Sequence, residues 1–183
     1  ERRRVEEAAI ETIPLAGAAI EAKHMAHAFR FYAATVDQFS WGRRYLTEAL
    51  FERLWREQRE HLQLTLAHET GSERVVAGTF NFQKAKRRYG RYWGCDVHLP
   101  MLHFEVCSYA AIEDCIRNGI EVFEAGAGGG HHKFGRGFLP VETLSAHKLF
   151  HPRFHETIGD FCAREAAAVR REISALRDAL FAR

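Results

Sequence analysis

From His61 to His68 the residues Leu62, Leu64 and Leu66 alternate with polar neighbours, a two-residue period that only a strand presents as one continuous face. Glu69-Thr70-Gly71-Ser72 then reads as a turn, Arg74 to Gln83 as a second strand and Tyr89 to Trp93 as a third. The second and third are joined through the basic run Lys84-Ala85-Lys86-Arg87-Arg88, which reads as a solvated hairpin turn. Three strands with short connections must pair as an antiparallel meander, and its apolar face must be covered by helices from elsewhere in the chain. The first strand, with polar residues on alternate positions, is expected to be half-buried.

The flanking segments supply those helices. His24 to Phe39 places Met25, Ala28, Phe29, Tyr32, Ala33 and Val36 at helical spacing. Thr47 is a suitable N-cap for a second helix with Leu50, Phe51, Leu54 and Trp55 on one side. Upstream, Arg2 to Ala9 reads as a charged helix end, and Glu11 to Leu15 as a strand that Pro14 restricts to a sheet edge. Downstream of Pro100, Val106, Ala110, Ile112, Ile116 and Ile120 set up another helix, closed near Asn118-Gly119 by a glycine suited to the position after a helix end. Val122-Phe123-Glu124 is a short apolar strand, Ala125 to Gly137 a glycine-rich loop, and Val141 to Phe150 a further strand. Arg153 to Phe181 is a long helix with a stripe of Ile158, Phe161, Cys162, Val169, Ile173, Leu176 and Leu180. No repeat or linker divides the 183 residues, so the expectation is one α+β unit with a mixed, twisted sheet flanked by helices.

Composition narrows the function. The 26 Lys+Arg against 24 Asp+Glu leave a formal charge of +2, which supplies none of the basic excess of a general nucleic-acid binder. Cys95, Cys107, Cys115 and Cys162 form no C-x-x-C pair, and Cys107 and Cys115 sit on an apolar helical stretch as small hydrophobes, a usage suited to the cytoplasm. The chain has no apolar run long enough for a membrane span and no visible signal peptide. It opens on Glu1-Arg2-Arg3-Arg4 inside a helix-like run, so it reads as a piece of something longer.

Candidate chemistry gathers between Arg87 and Ser145. Gly126, Gly128, Gly129, Gly130, Gly135 and Gly137 stand beside His131, His132, Lys133 and Arg136, where positive φ or close approach to a ligand favours glycine and cations meet a phosphate or carboxylate. A mobile surface loop with incidental charges is the plainer reading of the same residues. In Tyr89-Gly90-Arg91-Tyr92-Trp93-Gly94, strand alternation sends Arg91 and Trp93 to one face and Tyr92 to the other. Glu105, beside His103, is either a capping carboxylate at a helix start or a catalytic one. Glu124 within an apolar strand would be desolvated and shifted towards the general-base range unless Arg136 or Lys133 pairs with it. Thr143, Ser145 and His147 share one strand face, but no nucleophile elbow surrounds Ser145. The histidine spacings match no metal-binding pattern, so no metal is expected.

These residues follow a familiar order. Trp41-Gly42 with Tyr45-Leu46-Thr47, Gly90-Arg91-Tyr92-Trp93-Gly94, Leu102-His103-Phe104-Glu105, Phe123-Glu124-Ala125-Gly126-Ala127, Arg136-Gly137-Phe138-Leu139-Pro140-Val141-Glu142-Thr143 and Ser145-Ala146-His147 resemble the bacterial Fem-like (peptidoglycan biosynthesis/recognition) family of the GNAT acyltransferase superfamily. The resemblance covers nearly the whole chain. It implies a GNAT-like fold in which this chain is the C-terminal of two units, an upstream half of the same protein being its partner. It also implies acyl or aminoacyl transfer from acyl-CoA or aminoacyl-tRNA to an amine on a small-molecule or peptide substrate. Glu124 and Glu105 would be the catalytic carboxylates. Arg91, Tyr92, Trp93, His103, Gly126, His132, Lys133, Arg136, Ser145 and His147 would bind substrate. Two features depart from the pattern. The family's Gly-Ala-Gln-Gly-Glu-His-Lys loop is here Gly126-Ala127-Gly128-Gly129-Gly130-His131-His132-Lys133, without Gln or Glu and one residue longer. The stretch Asp96-Val97-His98-Leu99-Pro100-Met101-Leu102 lacks the glycine turn that holds the pyrophosphate in acetyl-CoA-using relatives, which favours aminoacyl-tRNA over acetyl-CoA.

Overall fold

In a computed structural model, which describes residues 1–40, 42–126 and 131–181, the chain falls into two compact units, 1–127 and 128–183. The first is built on the expected meander. Helix α1 (Arg2–Glu7) leads into β1 (Ile10–Ala16), followed by α2 (Ala22–Asp37), α3 (Glu48–Gln58), β2 (Leu62–Glu69), β3 (Val75–Lys84) and β4 (Arg87–Cys95). A helical stretch follows in three pieces: α4 (Leu102–Phe104), a π-helical segment (Glu105–Tyr109) and α5 (Ala110–Arg117). It carries the chain over to β5 (Val122–Glu124). The five strands lie in sequence order, antiparallel from β1 to β4, with β5 parallel to β4 because a helical crossover separates them. β1 is an edge strand, as Pro14 requires. The fold is α+β of the GNAT-like kind.

Local chemistry explains the boundaries. The Thr47 hydroxyl accepts from the Leu50 amide at 3.3 Å and caps α3. Gly119 closes α5 with φ +64, a left-handed conformation that glycine adopts without a Cβ clash. Gly94 is dictated by packing: a Cβ there would lie 2.1 Å from the Phe31 carbonyl oxygen, so α2 can lie against β4 only if this residue has no side chain.

The core has two layers. Leu62, Leu64 and Leu66 pack with Ile20, Met25, Ala28, Tyr32, Phe51 and Phe80 under α2 and α3. Ala67, Val76 and Ala77 pack with Val5, Leu102 and Val106 on the opposite side. β2 is therefore buried on both faces from Leu62 to Ala67, where alternation suggested a solvated face. The polar alternates are reconciled by hydrogen bonding. The Asn81 amide donates to Gln63 Oε1 at 2.7 Å and to Thr79 Oγ1 at 3.0 Å, and the Gln63 amide donates to Thr65 Oγ1 at 3.1 Å. Leaving any one unsatisfied would cost about 1–3 kcal/mol.

The basic run at the β3–β4 turn also differs from expectation. Lys84, Lys86 and Arg87 are solvated, but Arg88 is 1% exposed. Its guanidinium donates to Asp114 Oδ2 at 2.6 Å, to Gln83 Oε1 at 2.8 Å and to the Ala111 carbonyl at 3.3 Å. The pairing strand turns Arg88 towards α5, where it ties the hairpin to the crossover helix.

In the second unit, α6 (His131–Phe134) precedes an extended segment and α7 (Pro152–Phe181). Residues 141–150 join no ladder, contrary to the strand expected from Val141 to Phe150. A strand needs a partner for its backbone. Here the extended segment is held by α7 side chains instead, with Arg170 paired to Glu142 at 2.9 Å and Arg177 Nε donating to the Pro140 carbonyl at 3.2 Å. No described helix is long and apolar enough to cross a membrane.

Candidate functional site

β4 and β5 pair over three rungs only, Arg87↔Val122, Arg88↔Phe123 and Tyr89↔Glu124. β5 then ends, while β4 continues to Cys95. Just past the last rung β4 bulges: Phe80 pairs with Tyr92 but Asn81 with Gly90, so Arg91 is the extra residue. The bulge changes which side chains share a face. Arg88 and Trp93 turn towards the crossover helix, where Arg88 meets Asp114 and the Trp93 ring lies 5.1 Å from His103. Tyr92 and Gly94 turn towards α2. Arg91, expected beside Trp93, instead lies over the Tyr92 ring at 4.8 Å. Simple alternation failed because the bulge inserts one residue into the count.

Tyr92 belongs to a hydroxyl-bearing aromatic cluster that sequence reasoning overlooked. Tyr32, 1% exposed, lies edge-on to Tyr92 at 4.9 Å and to Tyr45 at 6.1 Å. Its hydroxyl accepts from the Tyr45 and Leu46 amides, each at 3.1 Å, and so fixes the loop between α2 and α3. The Tyr45 and Tyr92 hydroxyls lie 2.9 Å apart. Burial, with the hydrogen bond to Tyr45, pushes the Tyr92 phenol up to about 12. The sequence signals were the places of Tyr45 and Tyr92 in the ordered motifs and of Tyr32 on an apolar helix face, with nothing local to join the three.

The two carboxylates differ in setting. Glu124, at the last rung, is half-buried and its Oε1 accepts from Arg87 Nη1 at 2.6 Å. Neither Arg136 nor Lys133 was needed for a partner. In parallel pairing Arg87 and Glu124 fall two rungs apart on one face, so the neighbouring strand supplies the cation. Glu105 is 6% exposed within the π-helical segment. Arg2 grips it with both arms, Nε to Oε2 at 3.0 Å and Nη2 to Oε1 at 2.9 Å, and also bonds Glu113. These bonds hold the Arg2 guanidinium well above its ordinary value. Met101, not Glu105, is the cap residue of α4, and no side chain caps that end. Glu105 is therefore a buried, paired carboxylate. Strand alternation places Glu124 on the side of Tyr89 and Tyr92, whereas Glu105 and His103 belong to the crossover-helix side.

Gly126 adopts φ +82, in keeping with a turn that only glycine makes freely, and a Cβ there would approach the Gly90 carbonyl to 3.4 Å. Gly128, Gly129 and Gly130 lie outside the described residues, as does Trp41, and the side chain of His131 is likewise not described. In the second unit, Phe138 N donates to the Lys133 carbonyl at 3.2 Å and Gly137 N to that of Phe134 at 3.0 Å, a closure that occupies the end of α6. Arg136 Nη1 adds a bond to the His132 carbonyl at 2.6 Å. Ser145 Oγ lies 2.9 Å from His147 Nε2 on the exposed segment. Both line a cavity of about 320 Å³ with Thr143, His155, Cys162 and Glu165. The substrate-binding candidates are thus divided between the units: Arg91, Tyr92, Trp93, His103 and Gly126 in the first; His132, Lys133, Arg136, Ser145 and His147 in the second.

Comparison with known proteins agrees with the fold. A model of the FemAB-like family, described as peptidoglycan biosynthesis/recognition, matches residues 1–183. No curated protein matches the sequence. Among solved structures, an aminoglycoside acetyltransferase from an uncultured soil metagenomic sample, in complex with sisomicin, is similar at 12% identity and a TM-score of 0.53, over 80% of this chain and 98% of that one. A possible acetyltransferase from Clostridium difficile 630 is similar at 8% identity and a TM-score of 0.50, over 78% and 99%. At such identities the likeness is one of fold.

Proposed function

We propose that this chain, which belongs to the FemAB-like family, transfers an activated acyl or aminoacyl group to an amine at the mouth where β4 leaves β5. The observation that carries this is a carboxylate, Glu124, on the last rung of the parallel pair at the end of β5, beside a bulge that lifts Arg91 out of the ladder. β5 ends at Glu124 while β4 runs on to Cys95, so Glu124 stands at the carboxyl end of β5, the kind of place where open sheets receive ligands.

In the proposed reaction the amine nitrogen attacks the acyl carbon and its proton passes to Glu124. The carbon–sulfur bond of an acyl-CoA, or the carbon–oxygen bond of an aminoacyl-tRNA ester, then breaks, and the departing sulfur or oxygen is protonated. No covalent enzyme intermediate is needed. Glu124 must first exchange its Arg87 bond for the amine. Glu105, held by Arg2 on the opposite side of the sheet, is the second carboxylate candidate and has a further exchange to make. Trp93, His103, Gly126, His132, Lys133, Arg136, Ser145 and His147 remain candidate substrate contacts. A place in peptidoglycan metabolism and an upstream half of the same protein belong to this proposal and follow from the family resemblance, and a cytoplasmic setting belongs to it from the cysteine usage.

One observation favours a second reading. Both candidate carboxylates are bonded to arginines, Glu124 to Arg87 and Glu105 to Arg2. A non-catalytic module that binds a cell-wall or peptide ligand in the same mouth needs no free base. Equilibrium binding of acetyl-CoA and of alanyl-tRNA, followed by transfer to an added amine, separates the two readings. Transfer from either donor supports catalysis. Peptide binding without transfer from any donor supports the binding module.

A further inference from the structure

Arg91 is exposed, and its guanidinium meets no carboxylate within ion-pair distance among the described residues. Its one partner there is the Tyr92 ring. The bulge sets the backbone of Arg91, and its guanidinium carbon lies 4.8 Å from the centre of the Tyr92 ring. Tyr92 is itself fixed from below by buried Tyr32, and the Tyr45 hydroxyl is brought to 2.9 Å by a loop whose amides are bonded to the Tyr32 hydroxyl. The result is a guanidinium over the ring of a phenol whose hydroxyl is bonded to that of a second, both phenols being held by Tyr32. Tyr92 keeps its proton throughout the physiological range, since burial and Tyr45 push it up to about 12. The neighbouring cation Arg87 is engaged with Glu124, whereas Arg91 on the same strand meets no carboxylate among the described residues.

We propose that Arg91, with the Tyr92 and Tyr45 hydroxyls, binds an anionic group on the acyl acceptor, so that the acceptor is an amine bearing a carboxylate or phosphate. The inference rests on the transferase reading above for the word acceptor, and on the aromatic cluster alone for the anion. A guanidinium presents paired N–H donors that match the two oxygens of a carboxylate or phosphate, and the one phenol O–H of the Tyr45–Tyr92 pair not spent on the other hydroxyl adds a donor without adding charge. Glu124 lies on the same side of the sheet, three residues back along β4 from Tyr92 through its rung with Tyr89, roughly 7–10 Å away at strand spacing. That interval suits an amine and an acid separated by a short chain, with the amine at the carboxylate base and the acid at Arg91.

The test uses the full chain and three probes: alanylalanine, its C-terminal amide, and O-phosphoethanolamine. Calorimetric or NMR titration is expected to show alanylalanine or O-phosphoethanolamine binding at least tenfold more tightly than the amide. Whichever binds best identifies the anion as carboxylate or phosphate. Arg91→Ala should erase the preference, Arg91→Lys should retain part of it, and Tyr45→Phe should weaken it about threefold. Thermal unfolding of each variant shows that the fold is intact, and Tyr45→Phe gives an independent reading if Arg91→Ala is unstable. Equal binding of acid and amide, or a preference that survives Arg91→Ala, overturns the inference. An anion preference without acyl transfer from any donor would keep this site and remove the transferase reading. Transfer to the amide as fast as to the acid would do the reverse.

Discussion

Replacing Asp114 by leucine should be among the most damaging single changes in the first unit. Arg88 is 1% exposed, and its strongest bond is the 2.6 Å contact to Asp114 Oδ2, itself on a side chain only 8% exposed. Without the carboxylate, the guanidinium keeps its bonds to Gln83 and the Ala111 carbonyl but has no opposing charge. Breaking one partner of a buried pair costs about 3–5 kcal/mol, because a desolvated charge is left behind. Asn118, whose amide donates to Asp114 Oδ1 at 2.9 Å, loses a bond as well, adding about 1 kcal/mol. Domains are stable by about 5–15 kcal/mol, so the variant should be close to unfolding at ambient temperature. Urea unfolding followed by circular dichroism measures this directly. The double variant Arg88→Met with Asp114→Leu removes both charges and should recover most of the loss. A single-variant cost under about 1 kcal/mol, or a double variant no better than the single, would refute the reasoning.

Gly94→Ala should cost at least about 1–3 kcal/mol by overpacking, because its Cβ would meet the Phe31 backbone, and denaturant unfolding reads the loss. Ala85, at φ +50 in the hairpin turn, should gain up to about 1 kcal/mol on replacement by glycine, seen as a higher melting temperature. Tyr92 should ionise near 12 by absorbance titration of the phenolate, and Tyr45→Phe should lower that value by removing one of its causes. Because the folded value exceeds the unfolded one, Tyr92's contribution to stability is complete below about 10 and is lost as pH rises through about 12.

The elements that a period or a breaker residue defines were legible in advance. Pro14 on an edge strand, Thr47 as a cap, Gly119 after a helix and the meander from Leu62 to Cys95 all depend on neighbours within a few residues. What was not legible depends on partners far along the chain. Gln63 and Thr65 read as solvent-facing because polarity in a sequence does not distinguish water from a buried Asn81. Arg88 read as solvated because its partner lies 26 residues away on a helix. Val141 to Lys148 has strand-like residues but pairs with side chains of α7, and no local pattern records whether a strand has a neighbour. The same limit applied to the site. Glu124 and Arg91 were singled out from their unusual neighbours, but the bulge that reorients Arg91 and the pairings with Arg87 and Arg2 follow from strand register and from the packing of α1.

The most direct test of transfer at the β4–β5 mouth is a single-turnover assay of Glu124→Gln with whichever donor the wild-type chain binds. The variant keeps the shape of the side chain and its capacity to accept a bond from Arg87 but cannot take a proton at neutral pH. The expected result is unchanged donor affinity with acyl transfer slowed by about 10²–10⁴-fold. Transfer at the wild-type rate in Glu124→Gln would contradict the assignment of the base and, if Glu105→Gln were equally active, the carboxylate mechanism as a whole.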